Sequence, residues 1–247
     1  AVLVTSDFQG VPRDMSDRVF AEVQKKWGLG RAQVMFAFSH NHCGPRLGSD
    51  LMDYYPVDAD QERLVLTWGR QTGIPTVALR YSCTYGPRQS LFNPYTGVIA
   101  IFCTRLVNDL APIVYEDGGQ MRDLIFVEDV ARANLLVAND ARADGQVFNV
   151  GTGQAAEIGH LAGVLAAKLE KPIAPEIPGE FRPGEMRALI SDGSRIGALG
   201  FQPQIPLEEG IGRYLDWVRE QGTVAEYFGA AQRQLRRRRV VKQASAA

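Results

Sequence analysis

Two of the three histidines in this chain stand two residues apart, in the stretch FSHNHCGP at residues 38–45. Side chains two positions apart on an extended segment point to the same side, so His40 and His42 can converge on one ion. A catalytic zinc takes three protein ligands and a water. The remaining histidine, His160, has no companion pattern around it. The two histidines therefore indicate, at most, an incomplete zinc site.

A glycine-rich turn offers a second kind of chemistry. Residues 151–156 read GTGQAA and match the GxGxxG/A pattern of dinucleotide-binding turns, between a short apolar run and a helical one. Such a turn belongs to a β-α-β-α-β half. The sequence offers only one further strand after residue 156, so this turn does not predict an NAD site.

The elements that must position these residues alternate between strand and helix patterns, which predicts an α/β chain with parallel strands. Apolar strand patterns lie at 1–5, 32–40 and 75–82, with helical spacing at 18–28 and 59–73 between them. Residues 112–129 read as a strand, a Gly-Gly turn and a strand, and Asp129 is the expected N-cap of the next helix. Further helices are predicted at 98–109, 157–168 and 206–222.

Composition narrows the partners. The 247 residues carry a net charge of −1, which argues against a nucleic-acid or membrane partner. No apolar run approaches the roughly 18 residues that a membrane span needs. Three scattered cysteines without CxxC spacing indicate a reducing compartment, and we expect a cytoplasmic protein.

From about residue 59 onward, the chain resembles the C-terminal half of the extended short-chain dehydrogenase/reductases, the NAD-dependent nucleotide-sugar epimerases and dehydratases. The resemblance implies a nucleoside-diphosphate sugar as ligand, NAD as the cofactor of intact relatives, and a homodimer. One departure is RYSC at 80–83 where the family commonly has RYFN, which leaves the sugar open. The stretches that carry the resemblance are TGIPTVALRY, YGPRQ, NPYTG, EDGGQMRDLIFVEDVARA, ADGQVFNVGTG, FRPGEMRALISD and LGFQPQIPLEEGI.

The same resemblance implies four substrate-binding residues. Arg122 and Arg182 match the family positions that contact the diphosphate, and the arginine fork suits bidentate binding of phosphate. Tyr115 matches the position that packs against the nucleotide base, and Asn93 lines the substrate cleft. A solvated surface role for each arginine, and core packing or turn capping for Tyr115 and Asn93, are the alternatives.

The catalytic residues of that family are not found in this sequence. Family chemistry uses Tyr-x-x-x-Lys, in which the lysine lowers the pKa of the tyrosine. No tyrosine of this chain has lysine four positions later. The catalytic residues are therefore unknown, and we expect that NAD is not bound here.

The first 57 residues resemble a different family. VLVTSDFQG, the helix DRVFAEVQKKWGL and FSHNHCGP are similar to the N-terminal region of neutral ceramidase-like zinc amidases. That resemblance would make His40 a zinc ligand and His42 a neighbouring site residue, although Cys43 replaces the usual serine.

The sequence thus predicts a composite α/β chain, with a curtailed Rossmann-like parallel sheet and a smaller α+β substrate-binding lobe. Its expected parts are a ceramidase-like β-α-β fragment (1–57), an epimerase/dehydratase-like half (58–232) and a basic disordered tail (233–247). Three functions stay open: an epimerase/dehydratase relative that binds a nucleotide sugar without turnover, a zinc-dependent amide hydrolase, and a non-catalytic fusion fragment.

Overall fold

The computed structural model describes residues 2–6, 34–38, 66–91, 96–183, 185–237 and 240–243, with single positions between 18 and 28. The chain divides into two compact units, Ala1–Leu64 and Val65–Ala247. The change of family resemblance expected near residues 55–61 lies just before this division.

The first unit contains a parallel strand pair. Strand β1 (Val2–Ser6) pairs with strand β2 (Val34–Phe38), with Val2 beside Val34 and Ser6 beside Phe38. The described positions at 18, 21, 22 and 24–26 are helical and stand between the two strands in the chain. Because a parallel pair needs a long crossover, this order agrees with the β-α-β unit that the sequence predicts, and the parallel pairing is confirmed.

The second unit is built from short strands in several small sheets. β3 pairs with β7 and β4 pairs with β6, both in parallel, whereas β9 and β11 are antiparallel. β5 lies between β10, which is parallel to it, and β8, which is antiparallel. In chain order the strands are β3 (Ala78–Tyr81), β4 (Cys83–Tyr85), β5 (Met121–Arg122), β6 (Leu124–Phe126), β7 (Val147–Val150), β8 (Ala156–Glu157), β9 (Glu180–Phe181), β10 (Ala188–Leu189) and β11 (Lys242–Gln243).

The helices of the second unit begin and end near the predicted positions. Residues 66–72 are helical, and Gly73 follows with a φ of +69°, a left-handed conformation that glycine adopts without strain. A 3-10 turn spans Ala141–Ala143. The α-helices described are α1 (Val98–Val107), α2 (Val127–Ala138), α3 (Ile158–Lys168), α4 (Ser194–Gly197), α5 (Leu207–Glu220) and α6 (Phe228–Arg237).

Two apolar clusters form the core of the second unit. The larger joins α1, α3 and α5, and the smaller packs α2 against β6, β7 and α4. In α5 the spacing of Ile211, Leu215 and Val218 predicted one apolar face, and all three side chains are buried. Within the part of the chain that is described, no helix has both the length and the apolar character needed to cross a bilayer.

One local expectation was wrong. Helix α2 begins at Val127, and Asp129 does not cap it. The buried Asp129 carboxylate instead accepts hydrogen bonds from the Gln204 and Ile205 amides, at 2.7 and 3.1 Å, and bonds Arg132. In the basic tail that the sequence places from residue 233, α6 continues to Arg237 and β11 pairs with β9, and Ala231, Gln232 and Val241 are buried nearby in the chain.

Candidate functional site

Tyr115 and Arg182 are brought together by two extended segments. The Val114 amide donates to the Glu176 carbonyl at 2.9 Å, and the Glu116 amide donates to the Glu180 carbonyl at 2.7 Å. Arg182 directly follows β9, and its guanidinium carbon lies 5.1 Å from the centroid of the Tyr115 ring. Burial raises the pKa of the Tyr115 hydroxyl, and the positive charge of Arg182 opposes that rise. The pair is an aromatic ring with a cation over one of its faces.

Arg122 lies on β5 and is fixed by a carboxylate. Its Nη2 donates to Glu185 Oε1 at 3.1 Å, and its Nη1 donates to the Met121 carbonyl at 2.9 Å. The side chains of Arg122 and Glu185 are 12% and 25% exposed, so solvent screens this ion pair only in part. The other carboxylate oxygen, Glu185 Oε2, is buried and has no hydrogen bond among the described residues.

Glu185 connects the two arginines. The Glu185 amide donates to the Arg182 carbonyl at 3.1 Å, so the residue that fixes Arg122 stands three positions after the residue that stacks on Tyr115. The structure therefore places Tyr115, Arg122 and Arg182 around one local segment. Asn93, His40 and His42 lie outside the described residues.

Asp123 holds the glycine-rich turn at 151–153. Its side chain is fully buried, and it accepts from Thr152 N (2.9 Å), Thr152 Oγ1 (2.6 Å), Gly153 N (3.0 Å) and Ser191 N (3.2 Å). A dinucleotide pyrophosphate needs such backbone N–H groups for itself. Because a carboxylate already occupies them, and would repel a second anion, this turn does not fit the pyrophosphate of NAD.

Gly151 leaves room for this arrangement. A Cβ at Gly151 would lie 2.3 Å from Asp123 Oδ2 and 2.6 Å from the Ser191 Cβ. The first glycine of the GxGxxG-like pattern is therefore required by a close internal approach of the chain. The turn follows β7, and Asp123 links it to the segment at Ser191.

Cys83 stands where the family commonly has asparagine, and it lies on β4. Its amide donates to the Asp123 carbonyl at 3.0 Å, and its half-buried side chain packs against the larger apolar cluster. Cys83, the residue at which RYSC departs from the family pattern, thus lies next to Asp123. The cysteine supplies no side-chain amide on β4, where the family's asparagine would.

A surface depression of about 340 Å³ lies beside the same segments, lined by Glu116, Asp117, Gly179, Phe181 and Arg187. Arg187 donates to Asp117 Oδ1 at 2.5 Å and to Glu116 Oε2 at 3.0 Å. The hydrogen bond from Arg187 to Asp117, together with one from the Gly119 amide, keeps the pKa of Asp117 well below its usual range. With its cation already paired with two carboxylates, the depression is a poor place for a phosphate.

Metal ligands do not cluster in the described ranges, where no group of three or more His, Cys, Asp or Glu side chains could hold an ion. Sequence reasoning missed three carboxylates: Asp123, Glu180 and Glu185. Asp123 had one signal, since it is a charged residue directly before the apolar run LIF. Glu180 and Glu185 had none, because their partners are 52 to 63 positions away.

Part of the chain matches a known family. Residues 59–151 match the NAD dependent epimerase/dehydratase family. The matched range contains Tyr115, Arg122 and Asp123, and it ends at the glycine that approaches Asp123. The resemblance that the sequence indicates for this part of the chain is confirmed.

Relatives and solved structures agree with the match. The chain is 39% identical over 165 residues to the dTDP-L-rhamnose 4-epimerase of Burkholderia thailandensis, covering 65% of this chain and 44% of that protein. The UDP-glucose 4-epimerase of Thermotoga maritima, solved with UDP-glucose, is 32% identical with a TM-score of 0.62, over 66% of this chain and 52% of that one. The Thermus thermophilus UDP-glucose 4-epimerase, solved with NAD, is 30% identical with a TM-score of 0.59, over 67% and 53%.

These relatives are longer than the similar part of this chain. The chain spans about half the length of the curated relatives it matches. The structural neighbours carry a Rossmann fold, and the curtailed α/β fold predicted from the sequence is confirmed by them. The similarity thus concerns about half of each of these relatives.

Proposed function

We propose that the second unit is the nucleotide-sugar-binding half of an epimerase/dehydratase-family protein, and that this chain binds a nucleoside-diphosphate sugar without turning it over. Tyr115 packs against the base, and Arg122 and Arg182 hold the diphosphate. Asn93 contributes to the sugar side of the same cleft. A homodimer is part of this proposal.

The observation that carries the proposal is the joined pair of arginines beside an aromatic ring. Arg182 stacks on Tyr115 at 5.1 Å, and its carbonyl accepts a hydrogen bond from the amide of Glu185, the residue that bonds Arg122. A planar base needs a ring face, and a diphosphate needs two forked cations. Glu185 Oε2 adds a buried acceptor that suits a hydroxyl group of the ligand.

Binding without turnover follows from the residues available. No tyrosine of the sequence has lysine at the fourth following position, so the acid/base pair of the family is lacking. The amides of the 151–153 turn are bonded to Asp123, which removes one candidate pyrophosphate site. NAD supplies transient hydride transfer in the intact relatives, and this chain offers no matching donor set at that turn.

A second candidate concerns the first unit. His40 stands two positions after Phe38, the last residue of β2, and strand ends are where ligand residues of parallel sheets gather. This position favours a zinc-dependent amide hydrolase built on His40 and His42. Stoichiometric zinc in the purified wild-type protein, lost in His40→Ala, would support this second candidate. Wild-type protein that contains no zinc would refute it.

The main proposal is tested by calorimetric titration with UDP and dTDP. We expect binding of at least one, and a loss of about ten- to hundredfold in Arg182→Ala, since a charge-assisted pair contributes about 1.5–3 kcal/mol. Arg195→Ala is the matched control, because Arg195 also stacks on a ring, that of Phe148 at 5.5 Å, away from the site. Absence of heat at millimolar UDP and dTDP refutes the proposal and leaves the non-catalytic fragment.

A further inference from the structure

Helix α6 and strand β11 contact β9, the strand that leads into Arg182. We propose that Arg236 is a positioning residue of the nucleotide site, which neutralises Glu180 and thereby keeps the field around Arg182 and Tyr115 favourable for a diphosphate. The inference rests on the proposed function. It assigns a role to a C-terminal segment that the sequence predicted to be disordered.

Glu180 is a buried carboxylate with three side-chain donors, all from α6. Its side chain is 8% exposed. Arg236 donates through Nε to Oε1 at 2.5 Å and through Nη2 to Oε2 at 3.0 Å, and Gln232 donates to Oε2 at 3.2 Å. A forked pair of this kind fixes direction as well as charge. These three hydrogen bonds on the Glu180 carboxylate come from the C-terminal helix.

The backbone of β9 is held from two sides. On one side, the Glu116 amide donates to the Glu180 carbonyl at 2.7 Å. On the other side, β11 pairs antiparallel with it, with Gln243 beside Glu180, and Gln243 Nε2 donates to the Pro178 carbonyl at 2.6 Å. The backbone at Glu180–Phe181 is therefore restrained on both sides, and Arg182 is the next residue along the chain.

Charged side chains on and beside β9 also act on the proposed ligand site. Arg182, Glu180 and Arg236 all act on the Tyr115 hydroxyl: the two arginines lower its pKa and Glu180 raises it. The three charges are therefore close to the ring that packs against the base. Without Arg236, a buried and uncompensated carboxylate would lie two positions from the arginine that binds the diphosphate, and it would repel that anion.

The experiment measures affinity for two ligands that differ in charge. UDP is titrated by calorimetry, and uridine, which has no phosphate, is titrated by NMR. In Arg236→Gln we expect UDP to bind about tenfold more weakly, whereas uridine changes by less than about twofold, since only the phosphates meet the exposed charge. Arg237→Gln is the matched control, because it removes the same charge from the next, exposed position of α6.

Two further variants separate charge from folding. Glu180→Gln combined with Arg236→Gln removes both charges and should recover most of the UDP affinity. Arg236→Lys keeps the charge and should lose less than Arg236→Gln. Equal losses for UDP and uridine, no recovery in the double variant, or a UDP affinity like that of Arg237→Gln would each overturn the inference while wild-type binding stands. A wild-type protein that binds no UDP or dTDP would overturn the proposed function, and this inference with it.

Discussion

Replacing Asp123 with asparagine is expected to lower the free energy of unfolding of the second unit by about 3 kcal/mol. The carboxylate is fully buried, and each oxygen accepts two hydrogen bonds: Oδ1 from the Thr152 amide and hydroxyl, Oδ2 from the Gly153 and Ser191 amides. Asparagine keeps the shape but replaces one acceptor by a donor. At least two of the four bonds are therefore changed.

The magnitude follows from the less costly of the two amide orientations. With the NH₂ group at the Oδ1 position, the Thr152 hydroxyl can rotate and accept, and only the Thr152 amide is left buried without an acceptor. That orphaned donor costs about 1–3 kcal/mol, and the loss of the negative charge weakens the two bonds at the other oxygen by about 1 kcal/mol together. The opposite orientation leaves two backbone amides facing a donor, and it is worse.

Urea unfolding followed by circular dichroism measures the effect, with the midpoint compared at an unchanged slope. Asp123→Ala, which removes both oxygens, should be less stable than Asp123→Asn. Asp216→Asn is the matched control: its side chain is 71% exposed and pairs with Arg219 on the same helix, so wild-type stability is expected. A loss below about 1 kcal/mol in Asp123→Asn would refute the assignment of the 151–153 amides to this carboxylate.

Three further results are expected. Gly210→Ala should lower the free energy of unfolding by about 1–3 kcal/mol, because the new Cβ would lie 2.2 Å from Tyr85 Oη. Adding Tyr85→Phe should recover part of this loss in a urea titration. Equal stability of the single and the double variant would contradict this explanation. Tyr214→Phe should stabilise by about 1 kcal/mol in the same titration, since its buried hydroxyl has no hydrogen bond among the described residues; a loss would reveal a partner. Burial raises the pKa of the Cys103 thiol to about 12. In the native protein, iodoacetamide at pH 8 should therefore modify the half-buried Cys83 and leave Cys103 unmodified, which peptide mass spectrometry measures. Rapid labelling of Cys103 would contradict its burial.

Periodicity was sufficient for the elements that bury an apolar stripe. The spacing in α5 and the apolar run in β2 each decide one element locally, and both elements lie within the predicted ranges. The region 112–129 was predicted less well. In place of a hairpin, Ile113 makes an isolated bridge with Glu176, and β5 pairs with β10 and β8. Partners more than 30 positions away leave no trace in a local pattern.

The candidate site was predicted through family resemblance, whereas its supporting shell was not. Arg122, Arg182 and Tyr115 are predicted as binding residues because they stand in recognisable family motifs. The roles of the carboxylates that contact them could not be predicted from the sequence, because an acidic residue in a strand is normally expected to face solvent. Asp129 shows the same limit: the sequence allowed a helix cap, and the structure uses the carboxylate for amides 75 and 76 positions away.

The buried Asp123 also bears on how the second unit folds. Its donors lie 29, 30 and 68 positions along the chain, so two long loops must close before the carboxylate is satisfied. A collapsed intermediate that buries Asp123 before both loops arrive leaves a charge without partners, and such a state is penalised. The carboxylate therefore favours those compact states in which the segments have already met in the native register, and it disfavours the others.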